Sequence, residues 1–357
     1  MRAIGRVLSI ANELVRKHMF VKKGEEVLLM TDMETDMDFA RAIGAVCRSL
    51  GAQVTIVTIP PSFTKVSELT KTAEKALEGC DVYIPMAPTT GKAVHSRRVA
   101  ELLGQETFRE FIVGGCAPGG IPIDIFVRTI KEHDYEDVYR RSKALARWLA
   151  DKKEVHVTSQ AGTDFTCSIE SIFAVSPKGP PKGPYKWCAG IAREPGELAS
   201  LPDGEAWGGP REGTTEGVVV VNGTISSPPI CLCPEGPSPP VKLTVKEGRV
   251  VKVEGGAEAK IIRKLMDSYE NYDNFTEVAF GTNRWITELV GHIEWDKKSA
   301  GTMHVALGCN LLQIYPYGTK DCEIHTDMVL RNHTAEVDGE AILKEGKLLW
   351  EKFFVEQ

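Results

Sequence analysis

The segment CEIHTDMVLRN, residues 322–332, sets His325 and Asp327 two positions apart among apolar neighbours. Ile324, Met328 and Leu330 mark it as extended, and side chains two apart on a strand leave the same face. An imidazole and a carboxylate that converge this way are either a pair of metal ligands or a polar stripe on a wet strand. Three further segments bear on the choice. Glu205 stands in LPDGEAWGGP, a loop after a proline. Glu277 stands in FTEVAFGTN, on a strand entering a glycine turn. His304 stands in GTMHVALGCN, among residues that otherwise belong to a core. Of the eight histidines, His292, His304, His325 and His333 fall in the last 66 residues, and none lies between 157 and 291. Taken singly, each has an ordinary reading: a core histidine, an exposed glutamate, a turn cap. Taken together, three carboxylates and two imidazoles form a donor set for zinc, cobalt, manganese or iron.

Such a set needs strands to hold it, and the chain supplies them in its second half. With 357 residues, two domains are expected. Residues 1–150 alternate helical and strand-like patterns. A helix is expected over 5–20. The runs EVLLM, QVTIVTI, DVYIPM and FIVGG read as strands separated by helices, and two more helices follow around 122–131 and 135–150. That alternation predicts an α/β N-terminal domain with a mostly parallel sheet. The loop after its first strand, TDMETDMD, carries four acids and no glycine, so it would repel a pyrophosphate. The glycine-rich GGCAPGG, 114–120, lacks dinucleotide-binding spacing.

Residues 151–357 read as a β-rich α+β metal-binding domain. EVHVTS, TDFTCSIE, GVVVVNGTI and VKLTV alternate as half-buried strands, with hairpin turns at Glu247-Gly248 and Asp338-Gly339. Two Pro/Gly-rich stretches, SPKGPPKGPYKWC and SSPPICLCPEGPSPP, are too long for plain turns.

Composition excludes several classes of function. The net charge is −6 and no dense Lys/Arg cluster occurs, so no nucleic-acid partner is expected. No apolar run reaches the ~18 residues of a membrane span. Nine cysteines are scattered, and the N-terminus lacks the apolar core of a signal peptide. Reduced thiols and a cytoplasmic location are therefore expected. Cys231-x-Cys233 has no second pair to complete a structural zinc site.

In order along the chain, LPDGEAWGGP, EGVVVVNG, EVAFGTN, GTMHVALG, IHTDMVLRN and a closing VDGE hairpin resemble the aminopeptidase T/S family. That resemblance implies a dimeric metallo-aminopeptidase with two metal ions per chain. By motif, Glu205, Glu277, His304, His325 and Asp327 would be the metal ligands, and Glu205 and Glu277 the catalytic carboxylates. The implied reaction is hydrolysis of a peptide or small amide by metal-activated water. The resemblance fails at two positions. The family has a glutamate where this chain has Ser299 and a tyrosine where it has Leu311. Glu294, Asp296 or His292 are the candidates to replace the acid, and Tyr315 or Tyr317 the phenol.

AGTDF, EGVVVV, EVAFG and the His-x-Asp before LRN also resemble the 2,5-dihydroxypyridine dioxygenases. These hold one iron through two histidines and a carboxylate, with a histidine at the position of Glu277. This second resemblance implies Fe(II) and ring opening of a hydroxylated (hetero)aromatic; in that family no ligand matches Glu205 or His304, though His304, His325 and Asp327 would by themselves make a two-histidine, one-carboxylate set. A third reading is a family member without catalysis. The hydrolase is the leading expectation.

Overall fold

The computed structural model describes residues 2–60, 69–87, 92–113, 123–172, 186–227, 230–232, 236–314 and 316–354. The GGCAPGG loop, Cys233 and most of the first Pro/Gly-rich stretch lie outside these residues.

The N-terminal half forms the parallel sheet its pattern predicts. Glu26–Thr31 lies between Gln53–Thr58 and Val82–Met86, with Arg109–Phe111 beyond, all parallel. Val27, Leu28, Leu29 and Met30 are buried, as expected for a strand covered on both faces. The expected first helix is shifted toward the N-terminus: an α-helix over Arg2–Glu13 widens into a π-type turn over Leu14–His18. The acidic loop serves the backbone. Asp36 caps the helix Met37–Ser49 by accepting from the Asp38 and Phe39 amides.

A fifth parallel strand, Leu198–Ala199, comes from beyond residue 150 and pairs with Arg109–Phe111. The chain then passes directly into the strand Glu205–Gly208 of a different sheet. The two halves are therefore stitched together at the edge of the site.

Two antiparallel sheets make up the rest. The eight-stranded one is built around Glu154–Thr158, Asp164–Ser168 and Glu216–Val221. The seven-stranded one runs Ile230–Leu232, Ile225–Ser227, His325–Leu330, Met303–Gly308, Phe275–Gly281, Glu205–Gly208 and Trp187–Cys188. Val278, Phe280, Met303, Val305, Leu307, Met328 and Leu330 join a core that also contains Val82, Phe165 and Leu343. The opposite face packs Trp207 and Ala279 with Leu28, Tyr83 and Leu103 of the N-terminal half. Both faces of this sheet are thus covered, and polar residues on it are enclosed.

Gly281 ends the central strand. A Cβ there would lie 2.2 Å from the Ser299 carbonyl oxygen and 2.9 Å from that of Lys297. Only hydrogen fits between this strand and the 297–299 segment. Gly281→Ala is expected to destabilise the protein by about 2 kcal/mol or more, checked by urea unfolding.

Candidate metal centre

Strand register places every expected ligand on one face. Ala306 is opposite Glu277 on one neighbouring strand and opposite Asp327 on the other. His304 is opposite Ala279, Gly308 opposite His325, and Gly281 opposite Glu205. Directly paired residues project to the same side. Glu205, Glu277, His304, His325 and Asp327 therefore share the face that looks toward the N-terminal half. The positions between them carry Ala279, Ala306 and Gly308, whose small size leaves room for the longer side chains to converge.

Converge they do, around Glu277. Its Oε1 is 3.2 Å from His304 Nε2 and its Oε2 3.0 Å from His325 Nε2. Asp327 Oδ1 lies 3.0 Å from the same His325 nitrogen. Glu205 Oε2 is 3.7 Å from His304 Nε2. Glu277, His325 and Asp327 each offer a ligand atom within 4.8 Å of the others, and so do Cys188, Asp203 and Glu205 beside them. His304 stands behind Glu277.

The chemistry of the first group fits a cation. His325 Nδ1 is 2.9 Å from the Cys309 carbonyl oxygen, which calls for a proton on Nδ1 and leaves Nε2 as the lone-pair nitrogen of the neutral ring. That lone pair would face two carboxylates, so a proton or a metal ion must stand between them. In the absence of metal a proton does so. Burial opposes the imidazolium, but Asp327 and Glu277 outweigh it and hold the His325 pKa well above its ordinary value. Burial likewise pushes the Glu277 carboxyl up, yet its hydrogen bonds to His304 and His325 bring it below the usual carboxylate range. Metal binding would displace the proton. Two buried polar atoms without a hydrogen-bond partner point the same way: Glu205 Oε2 and His304 Nδ1.

Sequence reasoning missed the cations. Lys297 Nζ is 2.7 Å from Asp327 Oδ2 and 3.3 Å from Glu294 Oε1. Lys298 Nζ is 2.5 Å from Glu205 Oε1 and 3.1 Å from Asp203 Oδ1. Asp203 is both a turn cap and an ion-pair partner, since it also accepts from the amides of Gly190, Ser200 and Gly204. Asn283 fixes the arrangement: its amide donates to the Lys298 carbonyl and its side chain to that of Asp203. Lys186 is buried too. It donates to the carbonyls of Leu312 and Gln313, and burial lowers its pKa to about 7. This clamp holds Gln313 with its Nε2 3.4 Å from Glu277 Oε2. Lys297 and Lys298 contact four of the five carboxylates gathered here, Asp203, Glu205, Glu294 and Asp327, and the fifth, Glu277, faces His304 and His325, so the acids outnumber the ammonium groups that touch them. The only sequence signal was the dipeptide Lys297-Lys298 close to the His304 strand, and adjacent lysines ordinarily read as exposed.

The candidates for the peptidase's missing acid and phenol have the following surroundings. Ser299 Oγ donates to the Ile286 carbonyl. Asp296 accepts from the amides of Val290 and Gly291 and from Thr224, and Glu294 pairs with Lys297. His292 precedes the short helix Ile293–Asp296. Leu311 is buried, Tyr317 is 55% exposed, and Tyr315 lies outside the described residues.

A family model for 2,5-dihydroxypyridine 5,6-dioxygenase matches residues 11–350. The chain belongs to this family. A 2,5-dihydroxypyridine 5,6-dioxygenase from Pseudomonas putida is 26% identical over 290 residues, spanning 78% of this chain and 73% of the relative. In fold, the chain is similar to a solved 2,5-dihydroxypyridine dioxygenase from Pseudomonas putida, with TM-score 0.72, 19% identity and 97% of each chain covered. It is also similar to wild-type AmpT from Thermus thermophilus, with TM-score 0.64 and 15% identity, covering 97% of this chain and 99% of the other. The two-part α/β and β-rich architecture expected from sequence is thus the fold of both.

Membership overturns the leading expectation. Hydrolase, aminopeptidase and metalloprotease chemistry give way to that of a dioxygenase family, and with them goes the role of Glu205 and Glu277 as hydrolytic carboxylates. The physical reasons are local: the peptidase's glutamate and tyrosine are absent, and Lys298 engages Glu205. A metal cofactor and a small-molecule substrate remain. Among the described residues, no helix is long and apolar enough to cross a membrane.

Lys297 offsets a buried carboxylate that has no other cation in contact except His325. Lys297→Met is expected to cost the metal-free protein about 3 kcal/mol of stability, measured by chemical denaturation in the presence of chelator.

Proposed function

We propose that this chain is a metal-dependent ring-opening dioxygenase with one ferrous ion held by Glu277, His325 and Asp327, acting on a dihydroxypyridine or a closely related hydroxylated nitrogen heterocycle. The observation that carries the reading is the convergence of these three side chains on one buried point, with His325 Nε2 freed for a metal by the Cys309 carbonyl. The match of the dioxygenase family over residues 11–350 supports the reaction class. Iron(II) accepts a mixed set of imidazole and carboxylate donors and leaves positions open for other ligands. When bound, it would bring a ring hydroxyl and O₂ to one centre.

The residues of the chain itself do the rest. Glu277 presents both oxygens inward, one steadied by His304. Lys297 draws on Asp327 Oδ2 and leaves Oδ1 directed at His325 Nε2. Gln313, held by the Lys186 clamp, offers an uncharged amide to a substrate hydroxyl or ring nitrogen. The packing of Trp207 and Ala279 against the N-terminal half excludes water from one side, which strengthens every charge interaction within.

At the position of Glu277 the dioxygenases resembled in sequence carry histidine. Here one imidazole and two carboxylates replace two imidazoles and one carboxylate. The set is harder and carries one more negative charge, and the buried lysines supply the balance.

Protein purified without oxygen is expected to hold about one iron per chain and to consume about one O₂ per ring opened when given 2,5-dihydroxypyridine, with both atoms of ¹⁸O₂ entering the product. His325→Ala and Asp327→Ala should each lower iron content and oxygen uptake by ~100-fold or more, beyond the 10–100-fold typical of losing an outer hydrogen bond. Metal-free protein that reconstitution with Fe(II) cannot load would sink the reading.

A further inference from the structure

Beside the Glu277 group lies a second set of donors. Cys188, Asp203 and Glu205 each present a ligand atom within 4.8 Å of the others, and all three are buried. They share Glu205 with the neighbourhood of His304, whose Nε2 is 3.7 Å from Glu205 Oε2. Glu205 Oε2 is buried and makes no hydrogen bond, although the other oxygen of the same carboxylate is taken. A sulfur and two carboxylates in one buried space are the ligands of a metal such as zinc or cobalt. What stands against them is the Lys298 ammonium, in contact with Asp203 and Glu205 at 3.1 and 2.5 Å, its side chain only 3% exposed.

We propose that Lys298 is the built-in occupant of a second cation position bounded by Cys188, Asp203 and Glu205, and that its ammonium restricts the centre to one metal ion. The inference rests on the single-metal reading above and extends it to the residue that enforces the number. Two features make the position specific to this lysine. Its carbonyl is held by the Asn283 amide at 2.9 Å, and Gly281 lets the 297–299 segment lie against the strand. Charge makes the exclusion energetic. With Lys298 present, its ammonium already neutralises the Asp203 and Glu205 oxygens it touches and repels a second divalent ion away from water. With Lys298 removed, Asp203 and Glu205 lose their counter-ion, and a second divalent ion can take its place. Asp203 keeps three backbone amides in either case.

Cobalt(II) chloride is the probe, because a cobalt–thiolate bond gives a near-ultraviolet charge-transfer band that oxygen and nitrogen ligands do not. Wild-type apoprotein is expected to bind about one cobalt per chain with no thiolate band, even in excess metal. Lys298→Ala should bind about two, with the band, and Cys188→Ser in that background should remove it. A second equivalent with the band in wild type, or a single equivalent in Lys298→Ala, overturns the proposal. If Lys298→Ala is unfolded as apoprotein, two equivalents of cobalt should refold it, and failure to do so also counts against the exchange of ammonium for metal. Wild type that binds no cobalt would sink the single-metal reading itself, whereas one ion in both proteins would remove only the role given to Lys298.

Discussion

Carboxylates cannot be gathered in a dry space without cations. Each of the five around this centre would recover its charge in water at little cost, and stripping them of water together is among the largest penalties a fold can incur. The structure meets that penalty with lysines delivered from its own interior. Lys297 and Lys298 leave adjacent positions toward different carboxylates, Asp327 and Glu205. The turn that carries them is fixed by Asn283 and by the missing side chain of Gly281. The central strand, the turn and the acids therefore stand or fall as one unit. The metal completes this balance, and apoprotein must substitute a proton on His325 for it.

The sheet makes such a cluster compatible with a stable core by dividing its faces. Val278, Phe280, Val305 and Met328 point into a continuous apolar interior. Glu277, His304 and Asp327 point the other way, separated by Ala279 and Ala306. Period-two alternation ordinarily separates core from solvent. In this protein the second face is covered by the N-terminal half, so alternation separates core from chemistry. The crossing from Leu198–Ala199 in the parallel sheet to Glu205–Gly208 in the metal-bearing one explains how the halves keep register. Asp203, in the middle of that crossing, serves the turn through its amide bonds and the site through Lys298.

Much of this was legible in the chain. His325 and Asp327 on one strand face, Glu277 before a glycine turn and His304 among small apolar residues all converge as their patterns implied, because strand periodicity is a local property. The alternating N-terminal half formed its parallel sheet for the same reason. What local pattern cannot carry is who fills the space between distant acids. Nothing local in the sequence marks Lys297 and Lys298, or Lys186 at the end of a Pro/Gly-rich stretch, as buried. Their burial follows from long-range contacts with Asp203, Glu205, Asp327 and Leu312. The helix expected over 5–20 spans 2–18 instead, and the widened turn at Leu14–His18 places both Leu14 and Val15 in the core.

The misjudged chemistry has the same origin. Ligand types alone favoured a two-metal hydrolase, and the five expected residues do meet. A fold shared with both AmpT and a 2,5-dihydroxypyridine dioxygenase shows that the scaffold does not choose between them. On the proposal made for Lys298, the choice turns on whether the space beside Glu205 is open to a second cation, and a list of acids and histidines is silent on that. Two metal ions suit activation of water against a carbonyl, where both oxygens of the reacting centre need stabilisation. One ion with open positions suits the meeting of O₂ and a ring hydroxyl. On that proposal, the ammonium group seated against Asp203 and Glu205 is what holds the centre to one ion.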